Sequence, residues 1–518
     1  MMKKTLCALL CAALLLCALA ACGQDPADAS SAASETSTAG AGSFLTDQMG
    51  EKNLEGFTLR ILSTTENKDG GFAFGTSQFI PDENEPGVVS DAIMERNNLI
   101  EQTFNCKIDV QFTAAYEAFV QKVTNDYLAG DIDYDVIASG ISSNGLSALA
   151  ASGYLEDLNA IENSYLRLDQ PWWDQQAVDG LSIDNKLFFI NGDLLLTDDE
   201  RTCMLFFNRD LIEENQLEDP YALVEAGTWT VDKLYEMTRA AAVDGGDGKM
   251  DVEGGEDTWG LIGAAFDTYK MVLGCNAPMI SKDENDMPVI TMLDEHNVAA
   301  FNKVYDMMYD KDHVAYLENY YRWDDWTNGE KFYNQFYEGR ALFYANLIGS
   351  LNKQSMQNSS VRFGVLPLPK YEESQSSYAC TIDPYAFTCI ALPKTGAGNL
   401  DKVTFMLEAM AYYNSEKVVD LYYETTLKLK RLNADDNKAE EMLDIIFSNR
   451  IIDLANIYNW EDCTFSTTTS FLSTTAASSP SWKRARMRSR TQSTRRSSCS
   501  ESCNNAASGG SARRFRSR

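Results

Sequence analysis

The sequence predicts an α/β protein with two lobes, and two observations carry this prediction. Strand-like apolar runs alternate with segments whose apolar residues recur at helical spacing, which indicates βαβ units and a largely parallel sheet. The part of the chain with ordinary globular composition runs from about residue 50 to about residue 462. A chain of that length usually exceeds what one hydrophobic core supports, so we expect two lobes.

The elements behind this prediction follow in chain order. Strands are predicted at residues 57–62, 106–112, 134–138 and 361–366. Helices are predicted at residues 91–104, 116–128, 231–242, 295–309, 400–414 and 439–447. The regular alternation in the first part of the chain is what favours parallel strands joined by crossover helices.

The first 22 residues have the composition of a secretory signal. Lys3 and Lys4 precede an apolar run from Leu6 to Leu19, which is short for a transmembrane span, and small residues lead up to Cys22. This arrangement resembles a bacterial lipobox, in which Cys22 receives lipid and becomes the mature N-terminus. An ordinary signal peptide with a chance cysteine is the alternative.

A low-complexity segment separates this signal from the globular body. Residues 23–50 are rich in Ala, Ser, Thr and Gly and have too little apolar surface to fold, so they are predicted to form a flexible tether. Lipid on Cys22 would then anchor the body to the extracellular face of a membrane without spanning it.

The composition excludes several classes of function. The chain has a net charge of −32, and an acidic body is a poor partner for nucleic acid. Its only histidines are His296 and His313, which argues against His-based triads and His-rich zinc sites. The Asp- and Gly-rich segment 244–257 breaks the spacing of a calcium loop, so a solvated acidic loop is favoured. We predict no metal and no cofactor.

The twelve cysteines do not form a recognisable framework. Six of them lie between Cys106 and Cys463, without a CxxC pair. Buried free thiols are the simpler interpretation, and a single disulfide stays open because an exported protein would meet an oxidising compartment.

Six short motifs occur in a characteristic order. They are residues 134–137 (YDVI), 153–158 (GYLEDL), 171–174 (PWWD), 206–211 (FFNRDL), 227–234 (GTWTVDKL) and 363–370 (FGVLPLPK). In order and spacing the chain resembles the extracellular solute-binding proteins of bacterial ABC importers, in the branch that includes the maltose-binding protein. The resemblance covers most of residues 55–460.

The resemblance implies a type II periplasmic-binding-protein fold with a ligand cleft between two lobes. It implies crossings near Gly192–Asp193, near 383–385 and near residue 428. Residues 51–193 and 383–428 would then form lobe 1, and residues 194–382 and 429–462 would form lobe 2. Such proteins carry out no covalent chemistry; they close around a small solute and deliver it to a permease.

The candidate ligand-binding residues follow strand ends, crossings and an aromatic run, and they are Glu66, Asn67, Ser142, Ser143, Asn144, Asp193, Trp323, Asp324, Trp326, Asn346 and Tyr385. Short polar side chains can bond sugar hydroxyls, and flat rings can stack on sugar faces, which favours a carbohydrate and in particular an oligosaccharide. Turn chemistry, helix capping and core packing are the alternatives. Trp172, Trp173 and Trp229 are interpreted as packing residues. Leu347 and Ile348 stand where the maltose-binding protein has a stacking tryptophan, which argues against maltose itself.

Residues 463–518 form a tail that does not match the rest. From Thr464 onward the chain carries eleven Lys or Arg residues and the single acid Glu501, without periodicity. With suitable synonymous codons, residues 481–494 read in a shifted frame resemble the C-terminal helix usual in the family, which favours a frameshift. A disordered basic tail that binds an anionic surface is the alternative.

Two other functions stay open at this point. One is a surface-anchored carbohydrate-active enzyme, which would need two suitably spaced carboxylates that the sequence does not identify. The other keeps the binding fold and assigns it a peptide or polyamine ligand.

Overall fold

The structure is a computed structural model that describes residues 43–64, 78–81, 87–114, 117–253, 256–321, 326–396, 398–424 and 437–459. The predicted lipidation site Cys22, the tether up to residue 42 and the basic tail lie outside the described residues. Residues 43–49, at the end of the segment predicted as a flexible tether, are helical instead, because Leu45 is fully buried and the ring of Phe44 stacks on that of Tyr412. Among the described residues, no helix combines the length and apolarity needed to cross a bilayer.

The elements alternate as the sequence predicts. The strands of the described residues are β1 (Phe57–Thr64), β2 (Cys106–Thr113), β3 (Val136–Gly140), β4 (Cys203–Asn208), β5 (Trp259–Gly263), β6 (Ile280–Lys282), β7 (Pro288–Ile290), β8 (Val314–Tyr316), β9 (Ala341–Leu347), β10 (Phe363–Leu366), β11 (Cys380–Thr381), β12 (Thr388–Ala391) and β13 (Arg450–Ile451). The helices that follow the first strand are α1 (Val88–Phe104), α2 (Glu117–Ala129), α3 (Leu146–Ala151), α4 (Gln175–Leu181), α5 (Thr197–Glu200), α6 (Arg209–Glu214), α7 (Pro220–Glu225), α8 (Val231–Ala241), α9 (Ala265–Gly274), α10 (Glu295–Met308), α11 (Trp326–Tyr337), α12 (Gln354–Asn358), α13 (Leu400–Lys417), α14 (Val419–Tyr422), α15 (Asn437–Ser448) and α16 (Leu454–Tyr458).

Side-chain caps explain where several of these helices begin. The Asn208 side chain accepts the backbone N–H groups of residues 210 and 211 at the start of α6, and Thr230 accepts that of Lys233 at the start of α8. Asp219 caps α7, whose first residue is Pro220. These caps satisfy N–H groups that have no partner inside the helix.

Both main sheets are largely parallel, as the sequence predicts, but each contains one antiparallel strand. The first has the order β12-β3-β1-β2 with β12 antiparallel, and the second has the order β10-β4-β9-β5-β8 with β4 antiparallel to both neighbours. β12 begins at Thr388 opposite the end of β3, and β4 begins at Cys203 opposite the end of β9. A strand that enters a sheet at the edge where the parallel strands end must run in the opposite direction.

Two separate hydrophobic cores divide the described residues. The first core draws its members from 45–196, 382–422 and 454–457, and the second from 203–380 and 439–446. We call the parts built on these cores lobe 1 and lobe 2. The first change of core lies between Leu196 and Cys203, several residues later than the crossing expected at Gly192–Asp193. The expected crossing near residue 428 lies outside the described residues.

The last helix differs from the predicted lobe boundaries. The resemblance predicts residues 429–462 in lobe 2, but Leu454 and Ile457 of α16 are buried in the first core. The hydroxyl of Ser147 in α3 donates to the main-chain oxygen of Ile457 at 3.1 Å and fixes α16 there. The apolar pattern of a short helix does not indicate which of two cores it enters.

The crossing segments pair with one another between the lobes. Thr202 bridges to Ile382, and β11 runs parallel to β13 with Cys380 opposite Arg450. The result is a narrow ribbon made of residues 199–202, 380–383 and 449–453. We refer to it as the hinge ribbon, because hinges are a few residues that connect otherwise rigid bodies.

Candidate functional site

The site begins at the edge of the first sheet where β1 and β3 end. Four hydroxyl groups there are buried and have no hydrogen-bond partner among the described residues, and they belong to Ser63, Thr64, Ser142 and Thr388. The Oδ1 atom of the buried Asn191 is a fifth such group, while its amide donates to the main-chain oxygen of Thr388. A buried hydroxyl without a partner costs about 1–3 kcal/mol. Such a concentration at a strand edge therefore indicates a place where a polar solute binds.

The loop that follows β3 packs directly against the second crossing. The backbone N–H of Ser142 donates to the main-chain oxygen of Pro384 at 3.1 Å. A Cβ at Gly140 would stand 2.8 Å from the main-chain oxygen of Tyr385, so only glycine allows this approach. The fold thereby brings together Ser142 and Tyr385, two residues that the sequence predicts separately.

Lobe 2 presents an aromatic ring to the same place. Phe266 follows the end of β5, and its ring lies 6.4 Å from the ring of Tyr385 at an interplanar angle of 71°. The edges at which the parallel strands of both sheets end therefore face each other across the lobes. Phe266 was not predicted from the sequence. The strand that precedes it was not predicted, and the segment Ala264–Phe266 contains no polar side chain that would indicate a binding loop.

Buried charges surround Phe266 on the lobe 2 side. Lys270 pairs with Asp267 at 2.9 Å, and its ammonium group lies 4.7 Å from the centre of the Phe266 ring. Glu318 follows β8, and its Oε2 atom accepts the backbone N–H of Ala265 at 2.9 Å. Burial raises the pKa of Glu318 to about 7, and the nearby Asp267 adds to the effect. This side of the site can thus offer both a charged pair and a carboxyl group that changes its protonation near neutral pH.

A sequence profile now places the chain among known proteins. The profile of the bacterial extracellular solute-binding proteins matches residues 90–396, which is more than half of the sequence. The chain belongs to this family. It is therefore a non-catalytic, extracellular solute-binding component of an ABC importer, and the alternative of a carbohydrate-active enzyme is excluded. No curated protein sequence matches it significantly.

Solved structures resemble this solute-binding protein at low sequence identity. The sugar-binding protein MalE from Xanthomonas citri shares 14% identity with a TM-score of 0.50, covering 80% of this chain and 90% of that one. An ABC substrate-binding protein from Listeria monocytogenes, in complex with cycloalternan, shares 13% identity with a TM-score of 0.48, covering 80% and 93%. The similarity to MalE shows that the fold is that of the type II periplasmic binding proteins.

The remaining predicted site residues of this solute-binding protein lie in different environments. Ser143 is half-buried and Asn144 is exposed, and α3 is preceded by Gly145 rather than by a side-chain cap. Both ends of the Asn346 amide are engaged within lobe 2, since it donates to the hydroxyl of Tyr344 and accepts the backbone N–H of Leu347.

Asp193 lies beside the hinge ribbon. Its carboxylate contributes to the raised pKa of Asp199, which reaches about 6 mainly through burial. Arg450 of the ribbon lies 2.9 Å from the carboxylate of Asp174 and 3.4 Å from that of Asp199. The structure therefore places Asp193 beside a cluster of hinge charges.

Part of the predicted site cannot be described. Glu66, Asn67, Trp323 and Asp324 lie outside the described residues. Trp326 is the first residue of α11, and nothing is described of its side chain. These residues stay predictions.

The other motifs of the solute-binding protein have structural roles. Asp244 accepts the backbone N–H groups of residues 246, 247 and 248, and Asp257 accepts those of Gly245 and Asp251. No group of metal-binding side chains occurs in the part of the chain that the structure describes. The five cysteines of that part are buried and form no disulfide with one another. Trp172, Trp173 and Trp229 are buried, which confirms their interpretation as packing residues.

Proposed function

We propose that this solute-binding protein is lipid-anchored through Cys22 and captures an oligosaccharide between its lobes for delivery to an ABC permease. The observation that carries the proposal is the set of unpartnered hydroxyls at the edge of lobe 1, next to the segment whose Tyr385 ring meets the ring of Phe266. Hydroxyls complement the rim of a neutral sugar, and an aromatic ring complements its apolar face. The family fold suits this ligand, since MalE from Xanthomonas citri is a sugar-binding protein.

Lobe closure follows from the placement of the two halves of the site. A solute bonded to Ser142 on one side and packed against Phe266 on the other contacts both lobes only when they approach each other. A ligand shifts such an equilibrium by its differential affinity for the closed arrangement. Closure is thus driven by the contacts that Phe266 and its neighbours add.

The direct test is a melting-temperature screen of the protein against oligosaccharides, peptides and polyamines. A ligand at about 100 times its dissociation constant stabilises the folded state by about 2.7 kcal/mol, which raises the melting temperature by a few degrees. We expect one class of oligosaccharide to produce this shift. A shift with peptides or polyamines alone would contradict the sugar proposal while leaving the binding fold intact.

The aromatic run is tested with the ligand that the screen identifies. Replacement of both Trp323 and Trp326 with Ala is expected to abolish binding, because the rings would no longer stack on the sugar. Titration calorimetry of the double variant measures the effect. Unchanged affinity would remove both residues from the site.

The anchor is tested separately. A Cys22→Ser variant is expected to lose incorporation of radiolabelled palmitate and to appear in the culture medium rather than in the membrane fraction. Equal labelling of both forms would show that Cys22 is not the lipidated residue.

A further inference from the structure

A hairpin that belongs to lobe 2 reaches onto lobe 1. The antiparallel strands β6 and β7 leave lobe 2 after α9 and return to it at α10, whose residues Ala300 and Phe301 are buried in the second core. The turn between the strands is held by the carboxylate of Asp283, which accepts the backbone N–H groups of Asn285 and Met287. The hairpin is thus a well-formed projection that contributes little to the core of its own lobe.

The tip of the hairpin is bonded to the turn that follows α4 of lobe 1. The carboxylate of Asp286 accepts the hydroxyl of Ser182 and the backbone N–H of Asn185, both at 2.9 Å. Its main-chain oxygen accepts the backbone N–H of Asp184 at 3.0 Å. Lys282 pairs with Asp286 at 2.8 Å and donates to Ser182 at 2.8 Å. Leu181 and Leu187, on either side of this turn, are buried in the first core.

The charge on Asp286 is maintained in this position. Burial by itself would raise its pKa, but the bonds from Lys282, from the Asn185 backbone and from Ser182 outweigh burial and lower it. The bonds that join the lobes here are therefore charge-assisted, and such bonds are stronger than neutral ones.

The base of the hairpin is attached to lobe 1 as well. The backbone N–H of Met279 donates to the carboxylate of Asp453 at 2.6 Å, directly before α16. Met279 also packs with Tyr269, Leu273 and Ala455 in a small cluster that is separate from both main cores. Both ends of the hairpin are thus fastened across the lobe boundary.

The tip contacts lie beside the hinge ribbon, whereas the base of the hairpin adjoins the candidate site, because Phe266 packs against the cluster that contains Met279. A Cβ at Gly180 of α4 would stand 2.7 Å from the Cβ of Ile452, which follows the ribbon strand β13. None of the unpartnered hydroxyls and neither ring of the site belongs to the hairpin. A rotation of the lobes about the ribbon must either bend the hairpin or detach its tip from residues 182–185.

We propose that the β6–β7 hairpin is an inter-lobe strap, that Asp286 is the residue that fastens it, and that the strap restrains the angle between the lobes. It acts on solute binding from outside the solute site, because contacts present in only one arrangement of the lobes bias the equilibrium between arrangements. This inference rests on the two-lobed fold and not on the identity of the solute.

The test compares Asp286→Ala with Glu284→Ala in the full chain without any solute. Glu284 is an exposed acid of the same turn, so its replacement removes an equal charge without touching lobe 1. Hydrogen exchange of the Asp184 amide reports detachment, because this amide bonds the main chain of residue 286 and not its carboxylate. Exchange of the Thr291 amide, which bonds Met279 within the hairpin, reports whether the hairpin itself survives.

In Asp286→Ala we expect about tenfold faster exchange of Asp184, unchanged exchange of Thr291, and a larger radius of gyration in small-angle scattering. Glu284→Ala should match the unaltered protein in all three. Unchanged Asp184 exchange would overturn the role of Asp286, and faster exchange with unchanged scattering would overturn the restraint on lobe angle.

A milder variant shows whether misfolding explains the result of Asp286→Ala. Asp286→Asn keeps one acceptor oxygen and should give an intermediate effect.

A cross-link tests whether holding the tip of the hairpin on lobe 1 restrains the lobes. In a variant with both Ser182→Cys and Asp286→Cys, oxidation of the two thiols to a disulfide should slow hydrogen exchange of the Asp184 amide. The radius of gyration should be equal to or smaller than that of the unaltered protein. A cross-linked protein with a larger radius of gyration would contradict the proposal. A failed sugar screen would leave all of these results unaffected.

Discussion

The ring of Phe266 in lobe 2 meets the ring of Tyr385 in the segment that returns to lobe 1, edge to face and 6.4 Å apart. This contact defines where the two sheet edges approach each other. It also identifies which aromatic side chains of the described residues stand at the mouth of the proposed solute site.

Replacement of Phe266 with Ala is expected to weaken solute binding by about tenfold to a hundredfold, since well-packed aromatic residues dominate binding energies. Calorimetry with the sugar that gives the largest melting shift measures the change. Tyr305→Ala is a matched control, because its ring stacks on Phe301 at 6.1 Å on α10, away from the site. Equal losses in both variants would refute a direct role for Phe266.

Variants of Ser142 and Ser147 should distinguish a hydroxyl that binds the solute from one that stabilises the fold. The hydroxyl of Ser142 is buried and has no partner among the described residues, so Ser142→Ala should leave the free energy of unfolding unchanged or raise it by up to about 1–3 kcal/mol while it weakens solute binding. The hydroxyl of Ser147 donates to the main-chain oxygens of Ser142 and Ile457, so Ser147→Ala should cost about 1–2 kcal/mol of stability. Urea unfolding and calorimetry on both variants provide the comparison. A large stability loss in Ser142→Ala would show that its hydroxyl has a structural partner.

Glu408 organises the interior of lobe 1, and its removal should be costly. Its carboxylate accepts the indole N–H groups of Trp172 and Trp173 at 3.0 and 2.9 Å and pairs with Arg167 at 2.8 Å. Glu408→Ala leaves both indole N–H groups buried without a partner, at about 1–3 kcal/mol each, and is therefore expected to lower the free energy of unfolding by about 2–5 kcal/mol. Glu408→Gln, which keeps one acceptor oxygen, should lose less. Similar losses in the two variants would indicate that packing volume, rather than hydrogen bonding, is what Glu408 provides.

Glu318 should make the free energy of unfolding depend on pH between about pH 5 and pH 8. Because its pKa is raised to about 7, the folded state holds a proton that the unfolded chain releases at lower pH. Its contribution is therefore fully present below the unfolded pKa and is lost as the pH rises towards 7, by up to about 3 kcal/mol. Thermal melts between pH 5 and pH 8 should show a smaller decline in Glu318→Gln than in the unaltered protein. An identical decline in both would assign the pH dependence to other groups.

The sequence predicts only those strands and helices whose apolar residues show a clear local period, and the strands β5, β8 and β9 of the second sheet were not predicted. The predicted helix 231–242 is α8 to within one residue, and the predicted strand 57–62 lies inside β1. The strand predicted at 134–138 begins later, at Val136. Asp135 just before it still donates its backbone N–H to the main-chain oxygen of Arg60, and its carboxylate accepts the backbone N–H and the guanidinium of Arg60. A side-chain bond between residues so distant in sequence leaves no trace in a local pattern.

The candidate site was predictable only in part. Ser142 and Tyr385 were found because polar residues at strand ends and crossings are visible in sequence. Phe266 and Glu318 were missed, since an apolar ring and an acid after short strands resemble ordinary core and surface residues. Glu66, Asn67, Trp323 and Asp324 stay predictions.

The sequence by itself determined the family, the alternation of elements and the export signal that it resembles, because these depend on residue type and spacing along the chain. The tertiary structure decided the mixed direction of the sheets, the entry of α16 into the first core, the meeting of Phe266 with Tyr385 and the bonds of Asp286 to lobe 1. Each of these joins segments that are distant in sequence, and such pairings are selected by burial and hydrogen bonding across the whole molecule rather than by any local period.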